Sequence, residues 1–560
     1  MKIEKLVLKD KQEIELNKFT VLVGPNNVGK SQTLKDINDI FTRGKMAKTT
    51  LISEIMIEKL PDIIEYLNGL DIKDSVHNIG HKTVKGVKGN LIEGESFEIH
   101  MPSVENNYKN DGPSSLFSNI ARFKISYLDA GTRLKVAQKT GSFNPHTGFP
   151  QNLLQAVYGD PHTEKTLQEA FLESFGDEIR LDYSGLVEFA FRVSKHFGEI
   201  PSDPRDAFEK MSAFSLLDDQ GDGYKSFVGV VLSLLLSKDR IVLLDEPEAF
   251  LHPAQARQLG YWIAEHSKHV PGQIIVATHN SNFLSGILSS DQSVDIYRLN
   301  RSRDNTSFKK MGASETVSLV KSPLLSSQRV LDAIFHRGVV VCEADADRSI
   351  YQTVALKYWG TQEFLFIHAH NKQTISTVTT LLRNVDIPVC AIADIDVVND
   401  DCFLDILKSI GGPVDLTKAK TDQESIIHAV DTLEESQALV LLKEKIDEFS
   451  GQLDRSEHTL SGARGALNRL RREASNWSSV KSEGISGLPK EVQQVMHELI
   501  ETVKHNRLYI VPVGELEKWI ELGVSQKNKW IIPALNHLFE NDCPTELKNF
   551  VGDVIKKLQS

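Results

Sequence analysis

Cysteine is scarce in this chain. The four present (Cys342, Cys390, Cys402 and Cys543) are scattered over 560 residues without a CxxC pair. That excludes a zinc ribbon and a disulfide framework. Long apolar runs are also missing: no stretch approaches the roughly 18 uninterrupted apolar residues of a membrane span. The opening MKIEKLVLKD lacks the apolar core and small-residue cleavage site of a secretory signal. A cytoplasmic protein with no membrane contact is expected. An excess of basic residues is absent too, with 64 Lys and Arg against 76 Asp and Glu, a net charge of −12. Such a balance weighs against nucleic-acid binding, where phosphate contacts need Lys and Arg. It does not exclude it, because metal-holding carboxylates make a nuclease acidic at its centre while a DNA groove needs only a local basic stripe.

What is present is globular: 40% hydrophobic and 25% charged residues. The length exceeds a single ordinary core, so two or more domains are expected. The chain opens as a strand at Ile3–Leu8, a second strand at Phe19–Val23, a glycine-rich loop and a helix from Lys30. Segments from about 45 to 120 alternate in short pieces. From Thr163 to Phe214 helical periodicity dominates, with Phe171, Phe175, Leu186, Phe189 and Phe191 as expected core positions. Two apolar runs, Ile241–Leu244 and Ile274–Ala277, read as adjacent parallel strands buried on both faces. After a linker and helix near 322–337, a new βα unit starts at Val339–Cys342. Further strands are expected at Phe364–His368, Val389–Ala393 and Leu508–Val513. Between the last two, residues 424–506 are charged and helix-like, with Leu453, Leu460 and Leu467 at seven-residue spacing, which predicts a short antiparallel helical pair. The expected class is therefore α/β, with one domain over 1–325 containing a helical insertion at about 135–220, and a second over 336–560 containing one at about 420–506.

Gly24-Pro-Asn26-Asn27-Val-Gly29-Lys30-Ser31 matches GxxxxGK[ST] between a predicted strand and a predicted helix. Glycines let backbone N–H groups curl around phosphate oxygens, and the helix N-terminus adds partial positive charge. Lys30 reaches the outer phosphates and Ser31 offers a hydroxyl to magnesium. Gln32 completes the expected nucleotide-binding stretch. In Ile241-Val-Leu-Leu-Asp245-Glu246-Pro247-Glu248, Asp245 is placed to hold the magnesium shell and Glu246 to orient or deprotonate the attacking water. Thr278-His279 ends the next strand, where His279 can sense the γ-phosphate.

In the second domain, Val339-Val-Val-Cys-Glu343-Ala-Asp345-Ala-Asp347 and Val389-Cys-Ala-Ile-Ala-Asp394-Ile-Asp396 each deliver carboxylates from a buried strand. Alternating aspartates on an extended segment share a face. Converging oxygen ligands suit magnesium or manganese. Without a cation, crowded carboxylates would repel and some would take up protons.

The glycine loop, the Asp-Glu-Pro segment and the Thr-His segment, in this order, resemble the ABC-type ATPase head of chromosome-maintenance and recombination ATPases. That resemblance implies ATP sandwiched between two heads, and hence a homodimer or higher homo-oligomer. The partner's signature segment would correspond to Gln220-Gly-Asp-Gly223-Tyr-Lys225-Ser226, which departs from the usual LSGG-like form, with Gly223 near the nucleotide. Leu128-Asp-Ala-Gly-Thr-Arg133 corresponds to the family's Gln- or Arg-bearing loops. The glutamate followed by DxD resembles the Toprim domain, with Glu343 as its glutamate and Asp394 and Asp396 as its DxD. Val513-Gly-Glu515-Leu516-Glu517 looks like the terminal acidic motif of the OLD (overcoming lysogenization defect) family of ATPase-nucleases, which joins these two parts in one chain. Ala344 replaces the glycine, and Asp347 the glutamate, that many relatives carry. The resemblance implies an ATP-hydrolysing, Mg2+- or Mn2+-dependent DNA endonuclease or nickase in anti-phage defence. Its metal ligands would be Glu343, Asp347, Asp394, Asp396 and Glu517, with Glu343 also catalytic, and a lysine after the acidic motif, Lys529 or Lys527, would assist. A partner protein from a defence operon is compatible with it. The competing reading is a regulatory or sensor ATPase with a degenerate Toprim, acting through a partner effector.

Overall fold

The computed structural model describes the chain except residues 69, 76–77, 88–93, 146–147, 238, 270–271, 303–304, 313–329, 361, 433–442, 445, 448, 452–476, 524–526 and 560. The polypeptide forms two compact units, Met1–Lys321 and Ser322–Ser560. Among the described residues no helix is long and apolar enough to cross a membrane.

A six-stranded sheet organises the first unit. Its strands lie in the order Asn305–Met311, Asp295–Ser302, Phe19–Val23, Gln273–Ala277, Ile241–Asp245, Ile125–Leu128. All neighbours are parallel except the Asn305–Met311 edge strand, which pairs antiparallel. The expected Ile241 and Ile274 strands are indeed adjacent and parallel, with Leu243 opposite Ile275. Their unbroken apolar runs follow from helices covering both faces, which leaves no side for polar residues. Helix Lys30–Arg43 buries Leu34, Ile37, Ile40 and Phe41 against this sheet. The same core takes Leu6, Ile14 and Ile55 from the antiparallel sheet Glu13–Glu15, Ile3–Leu8, Ile52–Ile57. One helix is thus held between two sheets, and the loop before it is fixed by its packing.

The stretch expected to be helical from Thr163 to Phe214 is only partly so. Helix Pro161–Phe175 is capped by Asp160, whose carboxylate accepts the Thr163 N–H at 3.1 Å. Strands Glu178–Asp182 and Glu188–Ser194 then form an antiparallel hairpin, and helix Pro204–Ser212 follows. The reason lies in the sequence Phe189-Ala-Phe191-Arg-Val193, where aromatic and β-branched residues recur every second position and are buried. That is a strand period, not a helical one. Arg192 crosses to Asp182 at 2.9 Å and ties the pair. Leu186, expected in the core, sits in the hairpin turn at φ 64° and is 72% exposed. Phe175 is half-buried against Tyr224 and Phe227, while Phe171 is fully buried.

In the second unit a four-stranded, wholly parallel sheet runs in the order Phe364–His368, Gly338–Cys342, Val389–Ala393, Leu508–Ile510. The last strand stops at Ile510, short of the expected Val513, because a turn begins before Gly514. Its core gathers Tyr351, Trp519, Trp530 and Phe550 from the helices and turns around the sheet. Trp530 is wholly buried and donates its indole N–H to the Ile520 carbonyl at 3.0 Å, so its polar atom is satisfied. Helices Leu416–Asp431, Ser478–Glu483 and Lys490–Lys504 occupy the region expected to be a helical insertion. Leu453, Leu460 and Leu467 lie outside the described residues.

Candidate functional site

The glycine loop leaves the C-terminal end of strand Phe19–Val23 and closes onto helix Lys30–Arg43. Two of its turns need glycine: Gly24 has φ 136° and Gly29, the helix N-cap, has φ 104°. A Cβ on Gly24 would stand 2.4 Å from the Leu299 carbonyl, and one on Gly29 2.7 Å from Leu51 Cδ1. The loop can therefore lie flat with its N–H groups turned inward, the geometry that cradles phosphate. Asn26 and Asn27 are exposed at its tip. Lys30 points back into the loop, where its ammonium donates to the carbonyls of Gly24 and Pro25, each at 2.7 Å. Burial pushes this lysine down to about 8, opposed by the charges of Glu246, Asp245 and Glu248. Gln32, expected at the nucleotide, instead donates to Asp36 at 2.7 Å one turn along its own helix.

Opposite the loop, Asp245 ends its strand. The Ser31 hydroxyl donates to Asp245 Oδ1 at 2.7 Å and the Tyr127 hydroxyl to Oδ2 at 3.2 Å. Burial raises the Asp245 carboxyl, and the two hydroxyls oppose the shift. A hydroxyl and a carboxylate side by side at the mouth of a phosphate loop fit the magnesium of a bound nucleotide. The next residue, Glu246, adopts φ 50° and pairs with His279, Oε1 to Nδ1 2.8 Å. The hydrogen bond to His279 holds Glu246 below the usual carboxylate range, and the same bond raises His279.

Glu248 had no assigned role from sequence, and Arg133 was placed only in a segment resembling the family's Gln- or Arg-bearing loops. Glu248 is buried beneath the strand ends, accepts the Thr278 hydroxyl at 2.6 Å, and is pushed up to about 7 by burial. Arg133 is fully buried and donates to the carbonyls of Asp245 and Glu246 at 2.6 and 2.8 Å. Most of its partners are main-chain carbonyls, which no side-chain pattern announces. Gly223 lies in the first turn of helix Asp222–Leu235, against the Phe250 carbonyl.

The second unit sets its acidic residues at the C-terminal ends of neighbouring parallel strands, Glu343 after Gly338–Cys342 and Asp394 after Val389–Ala393. Asp347 and Asp394 both act on the buried Tyr351 hydroxyl, which burial first and these carboxylates next hold well above its ordinary value. Asp347 also closes the start of helix Asp345–Trp359, accepting the Ala344 N–H at 2.8 Å. Asp345 turns outward to Arg348 at 2.7 Å and His368 at 3.4 Å.

Asp396 departs from the expected metal role. Its Oδ2 is paired with Lys481 at 2.7 Å and Lys372 at 3.0 Å, and Lys372 also reaches Asp400 at 3.3 Å. Burial raises the Asp396 carboxyl, but the two lysines outweigh it and the net shift is downward. Among the described residues no group of three or more His, Cys, Asp and Glu is arranged to hold a metal ion. The arrangement therefore does not fit a cation shared by Glu343, Asp347, Asp394 and Asp396, because two ammonium groups already neutralise the last. Glu517 is half-buried in the turn Leu516–Trp519. Lys529 is exposed on helix Lys527–Glu540, and the side chain of Lys527 lies outside the described residues. The lysines at the carboxylates are thus Lys372 and Lys481, whose positions relative to the DxD give no sequence signal.

Comparison with known proteins bears on the first unit. Residues 162–285, which contain Asp245, Glu246 and His279, match the AAA_21 family, described as "AAA domain, putative AbiEii toxin, Type IV TA system". No curated protein matches the chain significantly. Among solved structures, the Smc head bound to the C-winged helix domain of ScpA is 14% identical, covering 57% of this chain and 100% of its own, with a TM-score of 0.36. The SMC head domain from Thermotoga maritima is 15% identical over 56% of this chain and 100% of its own, with a TM-score of 0.31. A Pyrococcus furiosus Smc head with an extended coiled coil, bound to the C-terminal domain of ScpA, is 12% identical over 57% of this chain and 98% of its own, with a TM-score of 0.31. Scores and identities this low transfer no mechanism. The phosphate loop and the Ser31–Asp245 and Glu246–His279 pairs, with the AAA_21 match over residues 162–285, mark the Met1–Lys321 unit as carrying a P-loop ATPase domain.

Proposed function

We propose that the chain binds ATP with magnesium at the Gly24–Ser31 loop, hydrolyses it with Glu246, and uses that cycle to control an OLD-type Toprim nuclease in the Ser322–Ser560 unit. The observation that carries the proposal is the side-by-side placement of Ser31 and Asp245 at 2.7 Å, with the Glu246–His279 pair on the adjoining strand ends. Ser31 and Asp245 hold the nucleotide's metal, Lys30 and the loop N–H groups bind the phosphates, Glu246 orients the attacking water, and His279 fixes Glu246 and senses the γ-phosphate. Two heads closing on one nucleotide, with Gln220–Ser226 of a second copy completing the site, make a homodimer the working form.

The nuclease half of the proposal is supported by acidic residues standing at the ends of neighbouring parallel strands in the Toprim order. DNA is the substrate and phage defence the setting. No step is assigned to a metal there, since Asp396 is committed to Lys372 and Lys481. That commitment favours the second reading, a regulatory ATPase whose second unit does not cut. The deciding experiment incubates purified protein with supercoiled and linear DNA, with magnesium or manganese, with and without ATP. Cleavage that is lost in Asp394→Asn and in Glu343→Gln, with ATP turnover retained, supports the nuclease. ATP turnover without cleavage under any of these conditions establishes the regulatory reading.

A further inference from the structure

We propose that Arg133 is a positioning residue for ATP hydrolysis, which holds the backbone of Glu246 and links it to helix Asp222–Leu235, at whose start lies the Gln220–Ser226 segment. The proposal rests on the reading of Glu246 as the group that orients water.

Arg133 leaves helix Ala130–Val136, whose N-terminus is capped by Asp129 accepting the Thr132 N–H at 2.8 Å. Its guanidinium is fully buried and spreads its donors over three elements. Nη1 donates to the carbonyls of Leu128 at 3.1 Å and Asp245 at 2.6 Å, the C-terminal ends of two adjacent parallel strands. Nη2 donates to the Glu246 carbonyl at 2.8 Å, and Nε to the Ser226 hydroxyl at 3.1 Å. Burial disfavours the charge, and Glu248, Asp245, Asp129 and Glu246 oppose that effect.

Glu246 needs such a hold. Its φ of 50° is left-handed, a conformation a residue with a side chain keeps only where its surroundings impose it. The Glu246 N–H donates to the Ala277 carbonyl at 2.8 Å, and its carbonyl takes the Arg133 bond. With both peptide groups pinned, the carboxylate is delivered to His279.

The other end of the guanidinium grips helix Asp222–Leu235 at Ser226. One turn further, Gly229 packs on the Arg133 main chain, where a Cβ would stand 2.5 Å from the Arg133 carbonyl. The helix that begins with the signature segment thus rests on Arg133 at both its side chain and its backbone. A nucleotide engaging that helix start from a second head would shift Ser226, and through Arg133 the Glu246 carbonyl. Only a planar fork of donors can serve these acceptors at once; lysine presents a single point.

The test compares Arg133→Met, Arg133→Lys and Ser226→Ala in the full chain, reading ATP dissociation constant with a fluorescent ATP analogue, kcat, and thermal midpoint. A loosened glutamate predicts that Arg133→Met lowers kcat about 10²-fold while the dissociation constant moves less than about threefold. Arg133→Lys recovers part of the loss. Ser226→Ala, which removes one bond only, lowers kcat severalfold with an unchanged midpoint. In a Glu246→Gln background, Arg133→Met adds less than about twofold, because the group it positions is already disabled. Equal losses of affinity and turnover, or a full multiplicative loss on top of Glu246→Gln, overturn the proposal in favour of a purely structural arginine. Should Arg133→Met not fold, a Ser226→Ala enzyme with wild-type kcat overturns it alone. A wild type without ATP turnover instead overturns the reading of Glu246, and is seen before any Arg133 variant is measured.

Discussion

Lys481→Met removes one of the two cations from Asp396 while leaving the lysine's aliphatic length. The Lys481 ammonium lies 2.7 Å from Asp396 Oδ2; the carboxylate is 14% exposed and the lysine side chain 43%. Breaking a fully buried ion pair costs about 3–5 kcal/mol, and breaking an exposed one about 0–1. This pair lies between those limits, and Lys372 remains at 3.0 Å. A loss of about 1–2 kcal/mol is therefore expected near neutral pH. For a domain of this size that corresponds to a fall of roughly 2–8 °C in the unfolding midpoint. Four of the five tryptophans, Trp359, Trp477, Trp519 and Trp530, belong to the second unit, so intrinsic fluorescence follows its unfolding.

The sign of the pH dependence is fixed by Asp396. Its folded carboxyl titrates below the usual value, so the stability it lends is complete above the unfolded value of about 3.9 and disappears as pH falls through the folded value. Wild type and Lys481→Met should thus differ at pH 7 and converge in acid. EDTA should leave the wild-type melt unchanged. A midpoint that rises in Lys481→Met, or a wild type stabilised by magnesium and weakened by EDTA without nucleotide, would refute the reasoning and return Asp396 to the metal.

Glu248→Gln keeps an acceptor for Thr278 while removing a carboxyl that burial raises to about 7. A raised acid stabilises below its unfolded value and loses that contribution as pH climbs through the folded one, so the variant should gain up to about 2 kcal/mol over wild type at pH 8 and nothing at pH 4, read by urea unfolding. Phe191→Ala should cost about 3–5 kcal/mol, and Leu186→Ala less than about 0.5, in the same assay; reversed magnitudes would restore a helical reading of the hairpin. Lys30→Ala should abolish binding of a fluorescent ATP analogue, and retained affinity would remove the loop from the account.

The candidate nucleotide site was legible in sequence because its chemistry is local. Gly24, Gly29, Lys30 and Ser31 form one loop, while Asp245, Glu246 and His279 end two neighbouring strands whose apolar runs announce their burial. The parallel sheet of the second unit was readable for the same reason. The hairpin at 178–194 was not, because the helix before it extends the apparent periodicity, although Phe189, Phe191 and Val193 keep a period of two. The pairing of Asp396 with Lys372 and Lys481 joins residues far apart in sequence, and it depends on how helices pack around the sheet. Arg133 was readable only through the resemblance of its segment to the family's Gln- or Arg-bearing loops, because most of its bonds go to main-chain carbonyls.

The most direct test of the ATPase account measures ATP hydrolysis and bound nucleotide together in wild type and Glu246→Gln. The account predicts that both proteins bind ATP with similar affinity and that the variant turns over roughly 10²-fold or more slowly, since a single water-orienting base is lost. Equal turnover by the two proteins would contradict it.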